Sequence, residues 1–179
     1  MTDDSAFEAL FAEHYDDLLR YALRRVEQPA DAADVVGETW TVAWRRRQSL
    51  PPLDEQRLWL FGVARRVLAN QRRGHLRQSR LAAKLREEIS EEWRPEPSAD
   101  GPVSDALRSL APNDRDLLAL SAWEGLRTEE IAVVVGCSPA AARVRLHRAR
   151  RRLRAALAAR GYPEDHPKPA ALCVAEENP

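Results

Sequence analysis

Residues 128–154 read TEEIAVVVGCSPAAARVRLHRARRRLR. From Arg143 to Arg154 this stretch holds seven arginines and one histidine and no acid. Two helix signals bracket a glycine. Thr128 can cap a helix whose first turn carries Glu129 and Glu130, where negative charge suits the helix dipole, and Gly136 ends it. Ser138 then caps a second helix, with Pro139 at its first position, where a missing amide hydrogen costs nothing. At about 100° per residue, Ala142, Leu146, Ala149, Leu153 and Ala156 align on one face. Ala140, Val144, His147, Arg148 and Arg151 centre the opposite face. Arg143, Arg150 and Arg154 flank it on one side, and Arg145 and Arg152 on the other. A short helix, a glycine turn and a second helix of this kind are what a helix-turn-helix needs in a major groove. Central residues reach base edges while flanking guanidiniums neutralise phosphates. A solvated arginine face on a structural helix is the plainer alternative, and the capped segment with its Ser-Pro start favours DNA binding over it.

Upstream, 105–110 and 114–124 read as short helices, the second closed by Gly125 as a left-handed cap. Residues 103–160 therefore form one small helical domain, and residues 161–179, rich in proline, a flexible tail. EEISEEWRPEPSADGP, residues 87–102, is acidic and proline-containing without a sustained period, and reads as a linker. Before it lies a second domain, residues 1–86. Phe7, Leu10, Phe11, Tyr15, Leu18, Leu19, Ala22 and Val26 repeat at three and four, the stripe of an amphipathic helix ended by Pro29. A second helix runs from about Asp31 to Arg47, burying Ala32, Val35, Val36, Trp40, Ala43 and Trp44 and leaving Asp34 and Glu38 opposite. After a proline loop at 49–56, Leu58, Leu60, Phe61, Val63, Ala64, Val67 and Leu68 mark a third helix. Trp40, Trp44 and Trp59 read as core aromatics. The fold class is all-α: two small helical domains joined by a flexible linker.

Bulk composition narrows the function. The 179 residues are 44% hydrophobic and 31% charged, with 28 basic and 28 acidic side chains. No apolar run approaches the roughly 18 residues of a membrane span, and the acidic start MTDDSAFEALF is unlike a secretory signal, so a cytoplasmic protein without membrane insertion is expected. Cys137 and Cys173 form no metal-binding spacing, and no Gly-rich phosphate loop or nucleophile motif appears. Neither an enzyme nor a cofactor is expected. Charge falls in blocks: residues 3–17 are acidic without a basic residue, 57–86 basic without an acid, and 87–100 acidic again. Neutrality is thus a cancellation between separate surfaces, and the acid-free stretch suits the backbone of a single DNA strand.

Taken together, these segments resemble bacterial RNA polymerase sigma factors of the extracytoplasmic function (ECF) group of the sigma-70 family, over roughly residues 6–157. FEALFAEHYDDLLRYALRR resembles the opening helix of region 2, and DAADVVGETWTVAW the segment that docks on the β′ clamp helices. WLFGVARRVLANQRR resembles the part that opens and reads the −10 element. LRTEEIAVVVGCSPAAARVRLHRARRRL resembles the region 4 helix-turn-helix that reads the −35 element. Domains 1–86 and 103–160 then correspond to regions 2 and 4.

The resemblance implies an alternative sigma factor that binds core RNA polymerase, recognises −35 and −10 elements and promotes transcription initiation. Its implied partners are the β′ and β subunits, promoter DNA and an anti-sigma factor. Asp34, Glu38 and Trp40 fall on the polymerase-binding segment. Arg65, Arg66, Asn70, Arg72 and Arg73 fall on the −10 segment. Arg143, Val144, Arg145, His147, Arg148, Arg150 and Arg151 fall on the −35 helix. The chain departs from the family in three places. Gly37 replaces the usual glutamine, and Ala141-Ala142 a common Gly-Thr pair. Arg66 stands where many members have asparagine, with Asn70 one turn later, which leaves the lining of the −10 base pocket open between them. An autonomous helix-turn-helix regulator is the alternative, and would bind duplex DNA alone.

Overall fold

A computed structural model describes residues 3–26, 28–86 and 101–162. The acidic stretch 87–100 and the tail 163–179, read above as linker and flexible segment, lie outside the described residues. The described elements are helical: α1 (Asp3–Leu23), α2 (Pro29–Arg45), a 3₁₀ turn (Arg47–Ser49), α3 (Leu53–Arg86), α4 (Gly101–Ser109), α5 (Pro112–Ala122), α6 (Thr128–Val135) and α7 (Pro139–Ala158). They fall into two compact units, residues 1–93 and 94–179.

In the first unit α1, α2 and α3 pack on one another. Leu10, Leu18, Ala22, Val35, Val36, Leu60, Phe61, Val63 and Ala64 form the interior. Pro29 opens α2 rather than closing α1, because proline's missing N–H falls among the first-turn amides that lack helical partners anyway. The core contains a cation–aromatic stack. Tyr21 and Phe61 lie face to face at 4.8 Å, with the Arg25 guanidinium 3.6 Å from the Tyr21 ring centre and that of Arg57 5.0 Å from Phe61. Arg57 also donates to Asp17 at 3.1 Å, tying α3 to α1.

The aromatic stripe is only partly internal. Trp40 is 6% exposed, but Trp44, expected in the core, is 43% exposed, and Phe11 and Tyr15 also stand at the surface. A three-helix unit encloses too little volume for every ring, so the outer ones pack along the α1–α2 seam. Phe7 meets Trp44 edge-on at 5.0 Å, and Phe11 lies 4.7 Å from Trp40.

The second unit wraps α4, α5 and α6 around α7. Leu118, Leu120, Leu126, Ile131, Ala142, Leu146, Ala149, Leu153 and Leu157 are buried in it. Leu157 completes the α7 stripe where Ala156 was expected, and Ala156 is half-exposed. Helix α4 begins at Gly101, earlier than the expected domain start at 103. Gly125 adopts φ 66 beyond α5, the left-handed turn that its lack of Cβ permits.

Candidate nucleic-acid interface

The relation of α6 to α7 is set by local chemistry. Arg127, not Thr128, precedes the first turn of α6, with extended φ −69 and ψ 162. The Glu130 carboxylate reaches back to accept from the Arg127 amide at 2.7 Å, the reciprocal half of a capping box. At the far end Gly136 is left-handed, φ 73. The Cys137 amide donates to Ala132 O at 3.0 Å and the Gly136 amide to Val133 O at 3.2 Å, the Schellman pattern. Ser138 Oγ accepts from the Ala141 amide at 3.2 Å, and Pro139 follows as the first residue of α7. Ile131, Ala132 and Val134 are buried beneath, as are Ala142 and Leu146.

On the outer face of α7, Arg143, Val144, Arg145, His147, Arg148 and Arg151 are all exposed, and α7 carries no acidic residue of its own. Val144 keeps 49% of its surface, an apolar side chain offered to solvent among cations. Arg143 Nη2 lies 3.9 Å from Glu129 on α6.

Two arginines that the helical wheel put at the edges of this face are bonded to α5. Arg150 is half-buried, its Nη2 donates to Ser121 Oγ on α5 at 3.0 Å, and its Nε is buried without a hydrogen-bond partner. Burial, with the neighbouring Arg154, holds its pKa below the ordinary arginine value. Arg150, expected among the −35 residues, lies one turn from both Leu146 and Leu153 and so shares their packed edge. Arg152, read as a phosphate flank, donates to Asp114 Oδ2 at 2.7 Å, with the Asp114 side chain only 11% exposed. The pair secures α7 to the first turn of α5, where the helix dipole also favours a carboxylate.

In the first unit the outer face of α2 carries Asp34, Gly37, Glu38, Thr41 and Arg45, all exposed. Ala32, Val35, Val36, Thr39, Trp40 and Ala43 fill the other side. Asp34 and Glu38 thus share a solvent-facing ridge, whereas Trp40 is not part of it: its side chain is buried under Phe7 and Phe11. A Cβ added at Gly37 would meet nothing within 4 Å, so packing does not require glycine there.

The five residues of the −10 segment separate onto two sides of α3. Arg66, Asn70 and Arg73 lie at i, i+4 and i+7, all exposed. Arg73 donates to the Asn70 side chain and Arg66 to the Gly62 carbonyl at 3.0 Å. Arg72 instead reaches the Arg25 carbonyl at the end of α1, at 3.3 Å, where a cation meets the negative end of a helix. Arg65, half-buried, lies on that same side by its i+7 spacing to Arg72.

Sequence marks Glu129 only as a first-turn acid of α6, and does not mark Asp114 or Ser121 as contact residues. Their partners lie 14, 38 and 29 residues away, beyond the reach of local pattern. Among the described residues, no group of three or more His, Cys, Asp or Glu is placed to hold a metal ion. Nor is any helix long and apolar enough to cross a membrane.

A cationic helix-turn-helix, carried separately from a three-helix unit with an acidic ridge and an arginine edge, defines a DNA-binding protein built to work with a protein partner. Comparison with known proteins agrees. Residues 10–78 match Sigma-70 region 2 and residues 101–153 match Sigma-70, region 4. The chain is 33% identical to RNA polymerase sigma-E factor of Streptomyces coelicolor over 163 residues, covering 86% of this chain and 87% of that one. It is also 33% identical to ECF RNA polymerase sigma factor SigL of Mycobacterium tuberculosis over 162 residues, covering 83% and 87%. Among solved structures, the sigma factor RpoE of Bartonella quintana, in complex with the anti-sigma factor NepR, matches with TM-score 0.66 at 24% identity, covering 85% of this chain and 96% of that chain. The chain belongs to the sigma-70 family of RNA polymerase sigma factors, in its ECF group. Its function is that of an alternative sigma factor in transcription initiation.

Proposed function

We propose that this sigma factor docks on core RNA polymerase through the α2 ridge of Asp34 and Glu38, and reads its promoter through α3 and α7. The carrying observation is the division of α7 into a buried apolar stripe and an outer face of arginines with Val144 and His147. Arg143, Val144, His147 and Arg148, early on the exposed face, meet −35 base edges, and Arg145 and Arg151 meet phosphates. At the −10 element Arg66, Asn70 and Arg73 form the open edge that follows the separated strand, and Asn70 offers the amide for a base edge. Arg72 sits behind them, bracing α3 against the end of α1, with Arg65 on the same side of the helix. Trp40 supports the acidic ridge from beneath.

Docking through carboxylates calls for basic residues on the polymerase surface, and such complementarity governs rate and orientation of association. An anti-sigma factor is a fitting regulator, since a solved relative is held by one. The docking assignment is tested by Asp34→Arg with Glu38→Arg in the full chain. Both residues are exposed, so helicity should be unchanged while co-purification with core polymerase falls. Wild-type recovery of core polymerase by the double variant would refute the assignment.

A further inference from the structure

We propose that Glu129 is a specificity-determining residue, acting by positioning the Arg143 guanidinium; this rests on the reading of α7 as the −35 helix. Glu129 is the second residue of α6, its side chain 60% exposed, and its Oε1 lies 3.9 Å from Arg143 Nη2, itself 73% exposed. Glu130, its neighbour, is committed to the Arg127 amide, so the two adjacent carboxylates have different tasks. The Gly136–Cys137 turn and the Ser138 cap fix the approach of the two helices, which makes the pair a product of the fold.

When the second helix of such a motif enters the major groove, the first crosses the phosphate backbone. A carboxylate on the outer side of α6 therefore stands near phosphates, where it is unfavourable unless paired. Arg143 has two uses in that position. It can make a bidentate contact with a base edge, which discriminates sequence, or swing to a phosphate, which does not. Glu129 penalises the second, because departure of Arg143 leaves the carboxylate unpaired beside like charge. The wrong complex is thereby weakened more than the right one, which is how a difference of affinities becomes specificity.

The test uses the full chain bound to core RNA polymerase and a duplex library randomised over the −35 window, with sequencing of the bound fraction. Four proteins are compared: wild type, Glu129→Gln, Arg143→Ala and the double variant. Removing the carboxylate should reduce discrimination about two- to fivefold at the position that Arg143→Ala relaxes, as expected for losing an exposed ion pair. Binding to mismatched duplexes should rise, with a salt dependence steeper by about one phosphate contact. In the Arg143→Ala background the same change should leave discrimination unaltered, a result that a merely structural role at the α6 terminus would not give. Unchanged discrimination in Glu129→Gln, or an equal change in both backgrounds, would overturn the inference. A wild-type complex without any −35 preference would overturn the promoter reading of α7 and the inference with it.

Discussion

Replacing Arg150 with alanine separates a structural arginine from a DNA-contacting one. The Nη2 hydrogen bond to Ser121 Oγ at 3.0 Å joins α7 to α5, and a hydrogen bond from a charged donor contributes about 1.5–3 kcal/mol. Against this, the buried Nε has no partner and burial disfavours the charge, so removal relieves part of the cost. A net loss of about 1–2 kcal/mol follows, which corresponds to a roughly 5–30-fold larger unfolded fraction. Hydrogen exchange of the full chain, resolved on α5 and α7, reads this directly as faster exchange in both helices. Arg151→Ala is the matched comparison: Arg151 is exposed, so stability should stay within about 0.5 kcal/mol of wild type, while the salt slope of DNA binding should fall by about one contact. Arg150→Ala with wild-type exchange and a reduced salt slope would refute the assignment and return Arg150 to the phosphate-binding set.

Leu146 is 3% exposed on the buried stripe of α7, so Leu146→Ala should cost about 2–5 kcal/mol, read as loss of the second unit's thermal transition with the first retained. Gly37→Ala should stabilise the first unit by up to about 1 kcal/mol in a thermal melt, since the site is helical and open. Asp17 gives a pH dependence: its hydrogen bond to Arg20, with a further contribution from Arg57, holds its pKa below the ordinary carboxylate value despite partial burial. That contribution is complete above the unfolded carboxylate range, near pH 4, and is lost as pH falls through the lower folded value. Melts of wild type between about pH 6 and pH 2 should therefore lose stability on acidification more steeply than melts of Asp17→Asn.

Legibility from sequence followed the range of the interactions. The caps at Gly136 and Ser138 are local, set by a glycine free to take φ 73 and a hydroxyl three residues from its donor, and each was readable. So was the apolar stripe of α2, with Asp34 and Glu38 left outside. The Thr128 hydroxyl suits a cap, yet the backbone turns one residue earlier and Glu130 supplies the contact. The contacts of Arg150 and Arg152 with α5 are invisible to a helical wheel, which assigns faces without knowing what crosses them. The α5 partners Ser121 and Asp114 lie 29 and 38 residues away. Trp44 stands outside the core for a related reason: periodicity marks a side, but the size of the unit decides how many rings it encloses. The division of the −10 arginines between an open edge and the α1 contact also depended on the tertiary position of Arg25.

As a sigma factor, this chain should direct core RNA polymerase to promoters rather than bind them alone. The decisive assay is run-off transcription on a promoter selected from genomic DNA by the reconstituted complex. A discrete transcript should appear that requires both core polymerase and this chain. It should be lost when either the −35 or the −10 element is scrambled, and reduced by Arg143→Ala and by Arg66→Ala with Asn70→Ala. Tight sequence-specific duplex binding by the chain alone, with no transcript on adding core polymerase, would contradict that role.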